Sequence, residues 1–165
     1  MSLLAPALLD EAAALLDVCR AHGVLLATAE SCTGGLIAAA LTAIPGSSDV
    51  VERGFVIYSN AAKTDLVGVP AALITEHGAV SEPVARAMAA GAIARSRADI
   101  AVSVTGVAGP GGGTATKPVG LVWLGLARRG QPAAAEHHVF PGDRTAVREA
   151  AVARAFDLIR AALCA

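Results

Sequence analysis

Apolar and polar positions recur with two different periods along the chain, and these periods predict helices and strands in turn. Residues 7–22 place Leu8, Leu15, Leu16 and Cys19 on one helical face and precede Gly23, a typical helix end. Short apolar runs bounded by glycine or polar turns are typical of buried strands. Such strands are predicted over residues 24–30, 55–59 and 100–105, the second starting near Glu52.

The remaining segments continue this alternation. Residues 119–127 and 134–140 are predicted to form a hairpin around Arg129 and Gly130. The last helix is expected to be capped by Asp143 or Thr145. Further helices are predicted over residues 34–44, 61–67, 70–76, 82–97 and 144–163.

Helices that alternate with strands predict the α/β class, here a three-layer α/β/α sandwich. Its sheet is expected to be mixed and mainly parallel, with about five strands, the hairpin supplying the antiparallel pair. The abundance of alanine among the 55% hydrophobic residues favours close packing of helices on the sheet. The pattern contains no repeat and no linker, so residues 1–165 are expected to form one domain.

Composition excludes several classes of protein. The 13 basic and 14 acidic residues give a net charge of −1, so no basic field for nucleic acid is expected, although a small anion remains possible. No apolar run is long enough to cross a membrane, and no signal peptide is recognised. Three scattered cysteines without a CxxC pair favour the reducing cytoplasm, and no metal-ligand spacing is present, so no metal is expected.

The first cluster with chemical potential is the sequence AESCTGG at residues 29–35. It follows the first predicted strand and opens the next helix, whose free N–H groups can hold an oxyanion or a phosphate. It offers two nucleophiles, Ser31 and Cys32. The alternative is a helix cap with a tight glycine contact and no catalytic role.

The second cluster joins the single tyrosine, Tyr58, to Lys63, one of two lysines among 13 basic residues. A lysine that is partly desolvated can lose its proton near neutral pH and act as base to a serine. Arginine cannot do so, and the scarcity of lysine therefore draws attention to Lys63. The alternative is an exposed helix charge that balances Asp65.

Two further clusters are candidates for binding. Residues 106–118 form a glycine-rich loop that matches neither the Walker pattern nor a dinucleotide fingerprint, and its N–H groups could cradle an anion unless the loop is simply flexible. Lys117 could contact phosphate or cap a strand. Arg144 could grip a phosphate at a helix start, or could share an ordinary solvated face with Arg148.

Taken together, the clusters resemble the C-terminal domain of CinA proteins and the stand-alone PncC nicotinamide-nucleotide amidohydrolases. The likeness spans nearly the whole chain. Its most specific pieces are AESCTGG at 29–35, YSNAAKTDLVGV at 58–69, GAVSEPVARAMA at 78–89, TGVAGPGGGTATKPVG at 105–120 and FPGDRTAVREAAV at 140–152.

This resemblance implies an enzyme that hydrolyses the carboxamide of nicotinamide mononucleotide to nicotinic acid mononucleotide and ammonia. It implies no metal and no organic cofactor, and it implies self-association, expected here as a homodimer. By motif match, Ser31 would be the nucleophile, while Lys63 and Tyr58 would activate it or relay protons. The expected substrate contacts are Thr33, Gly34, Gly35, Thr105, Gly106, Gly109, Gly112, Gly113, Thr114 and Arg144.

Other readings remain open at this point. Many family members carry an additional N-terminal domain with pyrophosphatase activity, which is not expected here because the chain starts at the amidase-like helix. A nucleotide-binding regulatory module, linked to competence or DNA damage, would need the glycine loop and Arg144 but neither Lys63 nor Tyr58. A thiol amidase using Cys32 is a third possibility.

Overall fold

The computed structural model describes residues 2–165, which form one five-stranded sheet with helices on both of its faces. The strands are β1 (Leu26–Glu30), β2 (Val51–Val56), β3 (Ile100–Gly106), β4 (Leu121–Arg128) and β5 (Ala134–Val139). The helices are α1 (Pro6–His22), α2 (Leu36–Thr42), α3 (Asn60–Val67), α4 (Ala71–His77), α5 (Glu82–Ala94) and α6 (Arg144–Cys164).

The sheet has the strand order β2-β1-β3-β4-β5. Strand β1 pairs in parallel with β2 and β3, whereas β4 runs antiparallel to both β3 and β5. Four of the five strands therefore point in one direction. The predicted α/β class, the mixed and mainly parallel sheet and the hairpin are all confirmed.

Alternate residues of β1 and β3 face two different hydrophobic cores. Leu26 and Val102 face the core that contains Leu15 of α1 and Phe156 of α6. The neighbouring residues Ala27 and Ala101 face the second core, which contains Val67 of α3 and Met88 of α5. A parallel strand buried on both faces is typical of a three-layer sandwich, and that prediction is confirmed.

Small residues let α5 pack closely on its neighbours. A Cβ atom added at Gly91 would overlap the Val67 carbonyl of α3, and one added at Gly125 of β4 would overlap the Ala85 carbonyl of α5. Any side chain at either position would push the helix outward, so glycine is needed there for contact rather than for flexibility. This packing fixes α3 and α5 relative to the sheet.

The second strand differs from its predicted range of 55–59. Strand β2 ends at Val56, because the chain turns away from the sheet after one more hydrogen bond, from Ile57 N to Glu30 O at 2.9 Å. The carbonyls of Ile57 and Tyr58 then accept from the amine of Lys63 instead of from a neighbouring strand. The strand prediction was therefore wrong at its carboxyl end, where the site begins.

The parallel arrangement also determines where polar side chains meet. The carboxyl ends of β1, β2 and β3 lie at one edge of the sheet, which is where α/β proteins generally bind ligands. Ser31 follows β1, Tyr58 follows β2, and Gly106 ends β3. In the described part of the chain, no helix has the length and apolar character required to cross a bilayer.

Candidate active site

Ser31 and Lys63 lie in direct contact at the carboxyl edge of the sheet. The Lys63 Nζ atom is 3.1 Å from the Ser31 Oγ atom, and the two side chains are 1% and 8% exposed. Helix α3 brings the lysine there: it starts at Ser59, whose hydroxyl accepts from Ala62 N at 3.0 Å. The hydroxyl and the amine thus share one cavity, as the sequence analysis expected.

The surroundings of Lys63 favour its neutral form. Burial lowers the pKa of the Lys63 amine below its usual value, and the nearby Cys32 thiol acts in the opposite direction with less effect. Among residues 2–165, no carboxylate forms a salt bridge with it. A neutral amine has two N–H groups and one lone pair. The carbonyls of Ile57 and Tyr58, at 3.2 and 3.3 Å, can accept the two N–H groups, which leaves the lone pair for the Ser31 hydroxyl proton.

The dyad lies on the floor of a cavity of about 220 Å³. Tyr58 stands at its mouth, 62% exposed, and its hydroxyl accepts from the Arg144 Nη2 atom at 3.2 Å. The Nη1 atom of Arg144 donates to Gly109 O at 2.7 Å. One guanidinium therefore ties the tyrosine to the glycine-rich loop at the entrance.

One wall of the cavity is the segment between α4 and α5. Ala79 and Val80 line this wall, and the Thr105 hydroxyl donates to Ala79 O at 2.9 Å. Lys117 Nζ donates to the carboxyl-terminal carbonyl of α4, His77 O, at 2.7 Å. Thus Thr105 and Lys117 hold the wall from two points, and Lys117 caps a helix, an arrangement that the sequence did not indicate.

Cys32 lines the same cavity as Ser31, but its thiol is poorly suited to attack. The side chain is 6% exposed and belongs to the hydrophobic core between α1, α2 and α6. Burial raises the pKa of the Cys32 thiol to about 11, so it stays protonated at neutral pH. Since the thiolate is the reactive form of cysteine, this geometry favours Ser31 as nucleophile.

Glu30 is a buried carboxylate with a positioning role that sequence analysis missed. It is 0% exposed, and its Oε1 atom accepts from the Thr33 hydroxyl at 2.7 Å and from Ile37 N at 2.8 Å. Its Oε2 atom accepts from Ala38 N at 3.0 Å. The first amides of α2, which were expected to be free for a substrate anion, are thus partly occupied by the protein itself. An acidic residue just before a helix start was the available signal.

We expect Glu30→Ala to lower the free energy of unfolding by at least about 2 kcal/mol, because each buried donor left without an acceptor costs about 1–3 kcal/mol. Urea denaturation would measure the change. Asp65→Ala, which removes an exposed carboxylate of α3, is the matched control and should change stability little. Equal stability of Glu30→Ala and the wild type would contradict the structural role of this carboxylate.

The structure places the predicted site residues in two groups. Ser31, Tyr58, Lys63, Thr105, Gly106 and Arg144 line the cavity together with Asn60, Ala79, Val80 and Ala108, which sequence analysis had not assigned. Alanine and valine carry no chemical signature, so no sequence signal could have found three of these four. Other predicted contacts lie outside the lining of this cavity: Thr33, Gly34, Gly35, Gly109, Gly112, Gly113 and Thr114.

The residues of this second group have local roles in the structure. The Thr33 hydroxyl is used by Glu30, while Gly34 and Gly35 adopt φ of +59° and +98° in the turn that leads into α2. Residues 111–116 are exposed, and Thr114 bonds with Lys117 within the loop. A contact between these residues and a substrate stays a prediction.

A groove of about 440 Å³ adjoins the cavity. Ala108 and Arg144 line both, and the groove extends past Pro110 and Val119 to the turn at Gly142 before α6. Arg144 therefore stands between the smaller space that holds the dyad and a larger one beside it. A ligand whose reacting end lies near Ser31 could continue into the groove.

Comparison with known proteins gives a consistent result. A family model described as the CinA C-terminal domain matches residues 9–163. A CinA-like protein from Mycolicibacterium vanbaalenii is 56% identical over 141 residues, which cover 86% of this chain and 33% of that protein. The chain thus spans about a third of the length of the curated relatives it matches.

Solved structures agree in fold. The competence/damage inducible protein CihA from Agrobacterium tumefaciens superposes with a TM-score of 0.93 at 48% identity and covers 98% of both chains. A CinA superfamily protein from Escherichia coli gives a TM-score of 0.88 at 35% identity, covering 96% of this chain and 93% of that one. These names describe the relatives and specify no substrate.

Proposed function

The chain belongs to the CinA C-terminal domain family, and we propose that it hydrolyses the carboxamide of nicotinamide mononucleotide to nicotinic acid mononucleotide and ammonia. The observation that carries this proposal is the 3.1 Å contact between Lys63 Nζ and Ser31 Oγ in a buried site. The family resemblance of the motifs that contain both residues supplies the substrate.

The first half of the reaction forms an acyl-enzyme. The neutral Lys63 amine takes the hydroxyl proton while Ser31 Oγ attacks the carboxamide carbon, and the carbonyl oxygen becomes an oxyanion. When the intermediate collapses, the ammonium group of Lys63 returns its proton to the departing nitrogen, so that ammonia rather than an amide ion leaves. The C–N bond breaks and an ester to Ser31 remains.

The second half releases the acid. Water enters the position that ammonia left, Lys63 takes its proton, and the resulting hydroxide attacks the ester carbon. The Ser31 oxygen leaves and receives the proton back from Lys63, which restores the neutral amine. The Tyr58 hydroxyl is placed at the mouth by Arg144, where it can contact the substrate or relay a proton.

The size of the site favours a substrate with a small reacting end. The cavity of about 220 Å³ is smaller than the roughly 300–1,000 Å³ typical of sites that enclose a whole drug-sized ligand. A pyridine carboxamide suits this space, and the ribose phosphate would extend into the adjoining groove beside Arg144. A guanidinium at that boundary is suited to a phosphate.

A hydrolytic function explains the burial of the Lys63 amine better than ligand binding alone does. Burying an amine that has no carboxylate partner costs free energy, and a regulatory module that merely holds a nucleotide gains nothing from it. Perturbed titratable groups in a cavity are typical of catalytic sites.

The direct test of this function is to incubate the purified protein with nicotinamide mononucleotide and measure ammonia and nicotinic acid mononucleotide. We expect both products in equal amounts. Nicotinamide, which lacks the ribose phosphate, should react much more slowly because it leaves the groove beside Arg144 empty. Binding of the nucleotide without release of ammonia would replace the amidase proposal with the regulatory one.

The proposal also predicts that Cys32→Ala keeps most of the activity, because a thiol whose pKa is about 11 is not the nucleophile. The rate of ammonia release, measured in the same assay as Ser31→Ala, distinguishes the two residues. Loss of activity in Cys32→Ala at normal stability, with activity retained in Ser31→Ala, would favour a thiol amidase.

Two organisational features complete the proposal. We propose that residues 1–165 form one amidohydrolase domain, since both hydrophobic cores lie against a single sheet. We also propose that the domain forms a homodimer, as the family resemblance implies. Sedimentation equilibrium would measure the mass, and a monomer at all concentrations would contradict the second feature.

A further inference from the structure

Arg148 of α6 holds the turn that carries Ser31. Its Nε atom donates to Cys32 O at 3.1 Å and its Nη2 atom donates to Thr33 O at 3.0 Å. Among the described residues it forms no salt bridge. The planar guanidinium therefore binds two consecutive main-chain carbonyls, those of Cys32 and Thr33, whereas an arginine commonly pairs with a carboxylate.

The same turn contains two buried donors. Gly34 N donates to Ser31 O at 2.9 Å and closes a four-residue turn. The N–H groups of Cys32 and Thr33, at its centre, find no hydrogen-bond acceptor elsewhere in residues 2–165. Cys32 and Thr33 are 6% and 0% exposed. Buried N–H groups are nearly always paired. Cys32 lines the cavity and Thr33 does not, so the Cys32 N–H group is the one suited to an oxygen supplied from outside the chain.

Arg148 determines how one of these donors is oriented. In a trans peptide the C=O and N–H bonds point to opposite sides. The guanidinium that holds Cys32 O therefore fixes the plane of the Cys32–Thr33 peptide, and with it the position of the preceding Cys32 N–H group.

Of the next four N–H groups along the chain, those of Leu36, Ile37 and Ala38 are already occupied, and Gly35 does not line the cavity. Glu30 accepts from Ile37 N and Ala38 N, and Thr33 O accepts from Leu36 N at 3.0 Å. The beginning of α2 is thus directed toward a carboxylate of the protein and not toward the cavity. The N–H group of the residue after a nucleophile is a recurrent oxyanion donor in other hydrolases.

We propose that Arg148 is a positioning residue that orients the Ser31–Gly34 turn, so that the N–H group of Cys32 stabilises the oxyanion formed when Ser31 is acylated. This inference rests on the proposed function for its reaction. The oxyanion exists only after Ser31 Oγ attacks, so the contribution belongs to the transition state and not to substrate binding.

The variants Arg148→Lys and Arg148→Ala test this role. We expect Arg148→Ala to lower kcat by about 10- to 100-fold with KM nearly unchanged, because small misplacements of oriented groups have effects of this size. Arg148→Lys keeps the positive charge but cannot donate to both carbonyls in the same geometry, so its kcat should lie between those of the wild type and Arg148→Ala. Arg160→Ala, which removes a half-buried arginine of the same helix paired with Asp157, is the matched control, and its kcat and KM should be unchanged.

Two additional measurements separate positioning from general damage. The pH at which kcat/KM rises should be the same in Arg148→Lys as in the wild type, because Lys63 is untouched. Binding of nicotinamide mononucleotide, measured by calorimetry in the Ser31→Ala background, should also be unchanged by Arg148→Lys. Equal kcat in the wild type and both Arg148 variants, or a loss that appears wholly in KM and binding, would overturn the inference.

Acylation of Ser31 by p-nitrophenyl acetate provides a test that needs no amide substrate. Formation of this acetyl-enzyme passes through the same kind of oxyanion, so the Arg148 variants should be acylated more slowly than the wild type. If the wild type is acylated but releases no ammonia from nicotinamide mononucleotide, the proposed function fails and the Arg148 comparison still decides the inference. If Ser31 of the wild type is not acylated at all, the inference fails as well.

Discussion

Ser31→Ala is expected to abolish the hydrolysis of nicotinamide mononucleotide. The substitution removes the Ser31 hydroxyl, the one side-chain oxygen among residues 2–165 that forms a hydrogen bond with the buried Lys63 amine. The adjacent Cys32 thiol cannot replace it, because its raised pKa keeps it protonated. Without an acyl-enzyme, the neutral amine would have to activate water directly at a site shaped for a serine adduct. Ammonia release, followed over hours at high enzyme concentration, would measure the residual rate.

A matched control for this experiment is Ser48→Ala. Ser48 is exposed and lies in the turn before β2, so its loss should leave the rate unchanged. Mass spectrometry of the quenched wild-type reaction should detect the acyl adduct on Ser31, and Ser31→Ala should carry none. Near-normal ammonia release by purified Ser31→Ala protein would refute the assignment of the nucleophile.

The second large effect is expected for Lys63→Met, which should lower kcat at least about a hundredfold, the usual scale of general acid–base catalysis. Methionine fills a similar buried volume but can neither accept the Ser31 proton nor return it to the departing nitrogen. Arg86→Met removes an exposed cation of α5 that pairs with Glu82, so it is the control and should retain most of the activity. Comparable rates for Lys63→Met and the wild type would exclude Lys63 as the base.

The pH dependence follows from the same residue. Only the unprotonated Lys63 amine can accept a proton, so kcat/KM should increase as pH rises through the Lys63 pKa and decrease as pH falls below it. Since burial lowers this pKa, the increase should occur below the pH range in which an ordinary lysine titrates. A pH–rate profile of the wild type beside Lys63→Met measures this, and the rising limb should be absent from the variant.

Several features of the site could be predicted from sequence because they depend on local chemistry and on one rule of sheet geometry. Ser31 and Tyr58 each follow a recognisable strand, and parallel strands bring their carboxyl ends to one edge. Lys63 was distinguished by the rarity of lysine in this chain. The sequence order of strands also predicted the antiparallel hairpin of β4 and β5.

Other features depend on contacts between residues distant in sequence, and the sequence alone did not predict them. Arg148 lies more than a hundred positions from the carbonyls it binds, and its helical spacing equally suits an exposed face. Val80 lines the cavity only because α5 packs on the sheet and α4 packs against α5. The prediction that the second strand continues to residue 59 was wrong, because the carbonyls of Ile57 and Tyr58 accept hydrogen bonds from Lys63. This tertiary contact outweighs their strand propensity.

The two carbonyls that accept from Lys63 belong to the main chain, and this affects how the site can evolve. A single substitution cannot delete a backbone oxygen, so the immediate partners of the amine persist through any change of side chain at positions 57 and 58. Selection or a mutant library could therefore adjust the pKa of Lys63 chiefly by changing how far its amine is buried from water. Homologues from cells with a more acidic or more alkaline interior should differ in the packing around this amine and should keep its two main-chain hydrogen bonds.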